Sequence, residues 1–300
     1  MYYGNKMMKR LLFIYNPKAG RAVIGNHLGD IVDIFTKAGY EVTIYPTQCR
    51  GDGEVKARTC CNEYDRVVVS GGDGTFDEIV TGIMEAKSNV PIGYIPAGST
   101  NDFARSLGLP RIMKKAAATA VGDRLFSCDI GRFNNRYFVY VAAFGLFTDV
   151  TYETDQNLKN VFGYGAYLAE AVKRVQSIES IPLKITYDDN VIRDDFLVGM
   201  ITNSDSVGGI KRITGPDVKL DDGLFEVLLV KAPSSLKDMN LIPPAVLDRR
   251  IKCDCVIYFK CSRITVESDE PISWTLDGEF GGCVDKAEVI NIREGINVVL

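Results

Sequence analysis

Val67-Val68-Val69-Ser70-Gly71-Gly72-Asp73-Gly74-Thr75-Phe76-Asp77-Glu78 is a β-branched run that turns through three glycines into a segment whose apolar residues, Phe76, Ile79, Val80, Ile83 and Met84, recur at helical spacing. A strand passing directly into an amphipathic helix is half of a βα unit, and ligands of open parallel sheets bind at the carboxyl ends of strands. Glycine lets the backbone approach a phosphate without a Cβ in the way, and the helix start offers free N–H groups to an anion. Asp73 narrows the reading: a carboxylate beside phosphate oxygens is repelled unless a cation such as Mg²⁺ lies between them, directly or through water. The segment predicts a metal-bound nucleotide at a strand end.

Working outward, the first 125 or so residues alternate the same two signals. Strands are predicted at Leu11–Tyr15, around Val42 and Ile44, at Arg66–Val69 and at Val90–Ile95. Helices are predicted through Leu28, Ile31, Val32 and Phe35, from Asp102 to Leu107, and from Ile112 to Val121. Alternation of this kind implies a parallel sheet covered on both faces. Two further small-residue loops then fall at strand ends, Asn16-Pro17-Lys18-Ala19-Gly20-Arg21 and Pro96-Ala97-Gly98-Ser99-Thr100-Asn101-Asp102-Phe103, so three loops line one edge. Neither G-x-x-x-x-G-K-[ST] nor G-x-G-x-x-G is present, which sets this edge apart from a P-loop or a dinucleotide fingerprint.

Beyond Cys128 the rhythm changes to short β-like runs: Tyr137–Val141, Leu183–Tyr187, Phe196–Thr202, Phe225–Val230, Arg263–Glu267, Ile272–Leu276, Glu288–Ile292 and Ile296–Leu300. Their spacing and turn residues predict a β-sandwich, interrupted by one helix that carries Leu158, Val161, Phe162, Leu168, Ala169, Val172 and Val175 on one side. With 300 residues, 46% apolar and 25% charged, the chain buries a real core and divides best in two. The division falls at an α/β domain over 1–127 and a β-sandwich domain over 128–300.

The longest nearly unbroken apolar run, Phe138–Phe147, is about half of the roughly 20 residues that a membrane-spanning helix needs. No signal peptide is read at the N-terminus, where Met1–Arg10 leads straight into a strand. Eight cysteines spread through a large domain-forming chain read as reduced thiols of a cytosolic protein. Cys253, Cys255 and Cys261 lack a C-x-x-C pair, and the single histidine, His27, is distant in sequence, which argues against zinc. A net charge of −4 argues against bulk attraction to nucleic acid. The clusters Arg111/Lys114/Lys115, Lys211/Arg212 and Arg249/Arg250/Lys252 read as solvated surface.

Five motifs in one order, Asn16-Pro17-Lys18-Ala19-Gly20, Gly71-Gly72-Asp73-Gly74-Thr75, Pro96 to Ala104, Lys219-Leu220-Asp221-Asp222-Gly223-Leu224 and Leu276-Asp277-Gly278-Glu279, resemble the diacylglycerol kinase catalytic family, which includes bacterial lipid kinases and the sphingosine and ceramide kinases. The resemblance spans nearly the whole chain. It implies a nucleotide domain, a β-sandwich that receives lipid, a cleft between them, and a C-terminal tail packing back on the first domain. ATP is then expected against Asn16, Pro17, Lys18, Ala19, Gly20, Thr47, Gly72, Asp73, Gly74, Thr75, Phe76, Asp77, Glu78 and Ser99. Ser99 departs from the family's usual threonine but keeps its hydroxyl.

The resemblance also implies a catalytic Mg²⁺ at Asp73 and a structural Mg²⁺ held by the Asp222 carboxylate with the backbone carbonyls of Lys219 and Leu224. Glu279 is expected to be the general base, with Asp277 as the alternative. Lys18 or Arg21 is expected to reach phosphate. The expected acceptor is diacylglycerol, taken from a membrane surface by transient peripheral contact at its cytoplasmic face. Sphingoid bases, ceramide, monoacylglycerol and phosphatidylglycerol stay open as acceptors. Rival readings are an NAD kinase, whose family also carries Gly-Gly-Asp-Gly-Thr, and a non-catalytic lipid-binding relative.

Overall fold

The computed structural model of the chain describes residues 8–20, 22–145, 179–211, 213, 215 and 217–300, in two compact units, Met1–Cys128 with Gly295–Leu300, and Asp129–Glu294. The helix read through Leu158 to Val175 lies outside the described residues, as do Arg21 and Arg212.

The first unit contains β1 (Lys9–Tyr15), α1 (Leu28–Lys37), β2 (Tyr40–Pro46), α2 (Asp52–Cys60), β3 (Arg66–Gly71), α3 (Asp73–Glu85), β4 (Ile92–Pro96), α4 (Asp102–Ser106) and α5 (Met113–Ala120). Its strands are all parallel in the order β4, β3, β1, β2. On the free edge of β4, Val298 from the end of the chain pairs in parallel with Ile92. Leu11, Leu12, Phe13 and Ile14 are all fully buried, so consecutive side chains of β1 point into apolar surroundings on opposite faces of the sheet.

One face packs Leu11, Phe13 and Val68 against Ile31 and Phe35 of α1 and Ala116, Ala117 and Ala120 of α5. The other takes Phe76 of α3, whose ring lies 4.4 Å from Tyr94 and 5.0 Å from Phe103. α2 was not predicted. Its sequence, DGEVKARTC, has no apolar stripe, and it is held instead by backbone approach to α3, where a Cβ on Gly82 would lie 2.3 Å from the Glu54 carbonyl oxygen.

The second unit is antiparallel: β5 (Leu125–Phe133, entering from the first unit), β6 (Arg136–Phe138), β7 (Val141–Gly145), β8 (Ile181–Tyr187), β9 (Asn190–Thr202), the two-residue strands β10 (Ser206–Val207) and β11 (Ile210–Lys211), β12 (Phe225–Lys231), α6 (Leu236–Leu247), β13 (Val256–Cys261), β14 (Arg263–Leu276) and β15 (Glu279–Val299). The main sheet runs β13, β12, β9, β7, β14, β15, with β8 bridging β9 and β14. Trp274 is its fully buried centre, with the rings of Phe133 and Phe144 each 4.9 Å away.

Three expectations change here. The runs at Arg263–Glu267 and Ile272–Leu276 form one strand, β14, with a register shift between Glu267 and Ile272. Glu288–Ile292 and all but the last residue of Ile296–Leu300 likewise belong to one long strand, β15. Tyr137–Val141 is instead divided into β6 and β7, because a carboxylate takes the N–H groups at the break. Among the described residues no helix is long and apolar enough to cross a membrane.

Candidate active site

In the first unit the loops after β1, β3 and β4 converge on the start of α3. A Cβ on Gly98 would lie 2.6 Å from Gly72 Cα, and one on Gly20, where φ is +56°, would lie 2.2 Å from the Ala97 carbonyl oxygen. The three loops are therefore stacked backbone on backbone, which glycine alone permits at these contacts. Hydrogen bonds close the stack: Asn16 N–H to Ser70 O at 2.9 Å, Asn16 Nδ2 to Thr75 Oγ1 at 3.3 Å and Ala97 N–H to Gly71 O at 2.8 Å. Asn101, with φ at +51°, folds its own loop by accepting from Gly98 N–H at 2.9 Å and donating to Gly98 O at 2.7 Å.

α3 begins at Gly72 with no side-chain cap, and Gly74 faces open space in its first turn. An uncapped N-terminus of a 13-residue helix presents N–H groups and a partial positive charge to an anion. Asp73 stands at that first turn and accepts the N–H groups of Asp102 at 3.1 Å and Phe103 at 3.3 Å, so one carboxylate marks the start of α3 and caps α4. Beneath it, burial first and the Asp73 charge second raise the Tyr94 phenol well above its ordinary range.

The structure thus brings Asn16, Pro17, Lys18, Ala19, Gly20, Gly72, Asp73, Gly74, Thr75 and Ser99 to one rim. Thr47 N–H donates to Tyr15 O at 2.9 Å, which sets it beside the same strand end. Phe76 points the other way, into the core, and Glu78 accepts Gly51 N–H at 2.8 Å, tying α3 to the loop before α2. Asp77 is half-buried on the first turns of α3.

In the second unit Asp277 is buried in the turn between β14 and β15 with φ at +50°. Its Oδ2 accepts Val139 N–H at 2.6 Å, and its Oδ1 accepts those of Tyr140 and Val141, both at 2.9 Å. Three backbone N–H groups thus hold this carboxylate in the turn. Two residues on, Glu279 is exposed at the first position of β15.

The Lys219–Leu224 loop is drawn onto Asp129, which is fully buried. Gly223 N–H reaches Asp129 Oδ2 at 2.7 Å, Glu294 N–H reaches Oδ1 at 2.8 Å, and Asp129 N–H donates to Leu220 O at 2.7 Å. Burial raises the Asp129 carboxyl above its usual range, against the lowering by these N–H groups. Asp222 uses Oδ1 to accept Leu224 N–H at 3.1 Å and places Oδ2 3.2 Å from Lys260 Nζ. Glu226, 2% exposed, lies 2.8 Å from the same ammonium, and burial pushes its carboxyl up to about 7 despite that partner.

Comparison with known proteins matches residues 10–133 to the diacylglycerol kinase catalytic domain and residues 141–292 to the YegS C-terminal NAD kinase beta sandwich-like domain. A diacylglycerol kinase of Bacillus subtilis (strain 168) is 34% identical over 98% of this chain and 97% of its own length. The chain belongs to the diacylglycerol kinase family. A diacylglycerol kinase of Staphylococcus carnosus (strain TM300) is 33% identical over 97% of this chain and 95% of its own. A crystal structure of a diacylglycerol kinase from Bacillus anthracis str. Sterne superposes with a TM-score of 0.83 at 26% identity, covering 99% of this chain and 98% of that one.

The expected fold class holds: a catalytic α/β domain followed by a β-sandwich-like domain. The protein is a lipid kinase, and membership in this family makes ATP its phosphate donor. Two elements of this kinase escaped the sequence reading. Asp129 is signalled only as a lone carboxylate inside Cys128-Asp129-Ile130-Gly131, and Lys260 only by its register opposite Glu226 across β12 and β13.

Proposed function

We propose that this lipid kinase transfers the γ-phosphate of ATP to the hydroxyl of diacylglycerol, giving phosphatidic acid. The observation that carries the donor half is the uncapped start of α3 at the centre of three glycine-packed loops, with Asp73 in its first turn. N–H groups there would receive phosphate oxygens, and Lys18, exposed on the neighbouring loop, would add positive charge. The first unit takes the nucleotide and the second the lipid.

Mg²⁺ favours hard oxygen donors, and Asp73 fits it as a carboxylate that Asp102 and Phe103 N–H groups hold at the start of α3, where phosphate oxygens would lie. Bound with the nucleotide, the ion would neutralise phosphate charge as the oxygen attacks. Glu279 accepts the proton of the attacking hydroxyl. Asp277 holds the turn that carries Glu279, so its role is positioning.

The naming of full-length relatives as diacylglycerol kinases supports diacylglycerol as acceptor over sphingoid bases, ceramide or phosphatidylglycerol. The acceptor is reached at the cytoplasmic face of a membrane by peripheral contact. Exposed Leu247 and Ile251, close in sequence to Arg249, Arg250 and Lys252, support that reading. The test is transfer of radiolabelled γ-phosphate, with Mg²⁺, to a panel of lipids in mixed micelles, with NAD as a separate acceptor and Asp73→Ala as control. Labelled phosphatidic acid that disappears in the variant is the expected result. Labelling of another lipid, or of NAD, refutes the acceptor.

A further inference from the structure

We infer that the Lys260 ammonium is the resident cation of the loop between Asp217 and Leu224 and pairs with its Asp222 carboxylate in place of a divalent metal ion. The Lys260 ammonium lies 3.0 Å from the Asp217 carbonyl oxygen, 3.2 Å from Asp222 Oδ2 and 2.8 Å from Glu226 Oε1. The ammonium donates hydrogen bonds to the first two of these oxygens and forms an ion pair with the third.

Its position is built rather than incidental. Lys260 faces Glu226 in the β12–β13 register, and Glu226 is 2% exposed, so the strand pair itself carries the charge to the loop. A carboxylate that deep needs a positive partner, and removing Lys260 would leave it buried without one.

The family pattern assigns this loop a metal through the Asp222 side chain and the Lys219 and Leu224 carbonyls, and that assignment does not fit the side chains here. Asp222 Oδ1 accepts Leu224 N–H at 3.1 Å, and Oδ2 faces the Lys260 ammonium at 3.2 Å, so it is the charge of the ammonium, and not a shortage of lone pairs, that opposes a metal ion there. A divalent metal ion on Asp222 would place a second cation, and three positive charges in all, on one carboxylate. Mg²⁺ also demands near-octahedral oxygen ligands, whereas an ammonium is content with three acceptors at hydrogen-bond distance. The inference concerns the loop alone and is independent of which lipid is phosphorylated.

The experiment is Mn²⁺ binding, followed by electron paramagnetic resonance without nucleotide, in an Asp73→Ala background that removes the proposed catalytic site. The Lys260-containing protein is expected to show no Mn²⁺ site that Asp222→Asn abolishes. Lys260→Met should gain one such site, with affinity raised by about tenfold or more because the competing charge is gone. Asp222→Asn added to Lys260→Met should remove it again. A Lys260-containing loop that binds Mn²⁺ through Asp222, or a Lys260→Met loop that still binds none, overturns the inference. Should Lys260→Met fail to fold, thermal melting of the unsubstituted protein in EDTA and in Mg²⁺ decides. Coincident melts support the resident ammonium, and a Mg²⁺-dependent rise that Asp222→Asn abolishes refutes it.

Discussion

Asp277 and Val141 are joined twice: the Asp277 N–H donates to the Val141 carbonyl at 2.8 Å, and the Val141 N–H donates to Asp277 Oδ1 at 2.9 Å. With Val139 and Tyr140 on the same carboxylate, this pairing fixes the turn ahead of Glu279. Asp277→Asn replaces one acceptor with an NH₂ group that faces a backbone N–H, so both stability and turnover should fall. The pH dependence of the remaining activity should keep its shape, since Glu279, the proposed proton acceptor, is untouched. Glu279→Gln should instead lower kcat by about 10² to 10⁴ while leaving the melting temperature unchanged. Steady-state kinetics against pH, with thermal melting, separates the two roles.

Gly98 and Gly74 test the proposed nucleotide rim in opposite ways. Gly98→Val drives a side chain into Gly72 Cα, 2.6 Å from the ideal Cβ, and should cost about 1–3 kcal/mol in stability and about a hundredfold in kcat/KM. Gly74 has no atom within 4 Å of its ideal Cβ, so Gly74→Ala should leave the melting temperature unchanged and raise KM for ATP where phosphate must come close. A Gly74→Ala enzyme with unaltered KM would remove phosphate from that position.

Glu226 makes stability depend on pH in a defined direction. Burial raises its folded-state carboxyl from 4.5 to about 7, so the folded protein holds this proton more tightly than the unfolded chain. Stability from this group is fully present below about 4.5 and is lost as pH rises towards 7, by about 3 kcal/mol in all. Glu226→Gln should flatten that part of the curve. Denaturant unfolding at a series of pH values measures it.

All eight cysteines are free thiols, in unlike surroundings. Cys49 and Cys283 are exposed, whereas burial pushes the Cys255 thiol up to about 11 and that of Cys261 to about 12. Alkylation near neutral pH should therefore modify Cys49 and Cys283 first and reach Cys255 and Cys261 only on unfolding. Mass spectrometry of partly alkylated protein reads the order directly.

The first unit was legible because its signals are local: Val67–Val69, the glycines and the Phe76, Ile79, Ile83 stripe each declare an element within a few residues. α2 was missed because its place is set by Gly82 of α3, which no pattern inside Asp52–Cys60 records. In the second unit the break after Phe138 depends on Asp277, 138 residues beyond Val139, and a strand run carries no mark of a distant carboxylate. The same distance hides Lys260 from Asp222, 38 residues away. Motifs named the candidate residues, but whether a carboxylate takes N–H groups, an ammonium or a proton is decided by neighbours far along the chain.

The pairing of Val298 with Ile92, and of Leu300 N–H with Arg124 O at 2.8 Å, has a consequence for birth on the ribosome. Residues 9–120 hold every described helix of the first unit and its four main strands, yet the edge of β4 stays open until 295–300 have been made. A nascent chain must carry that unfinished edge through the synthesis of all that lies between, a period in which a bare strand invites pairing with a stranger.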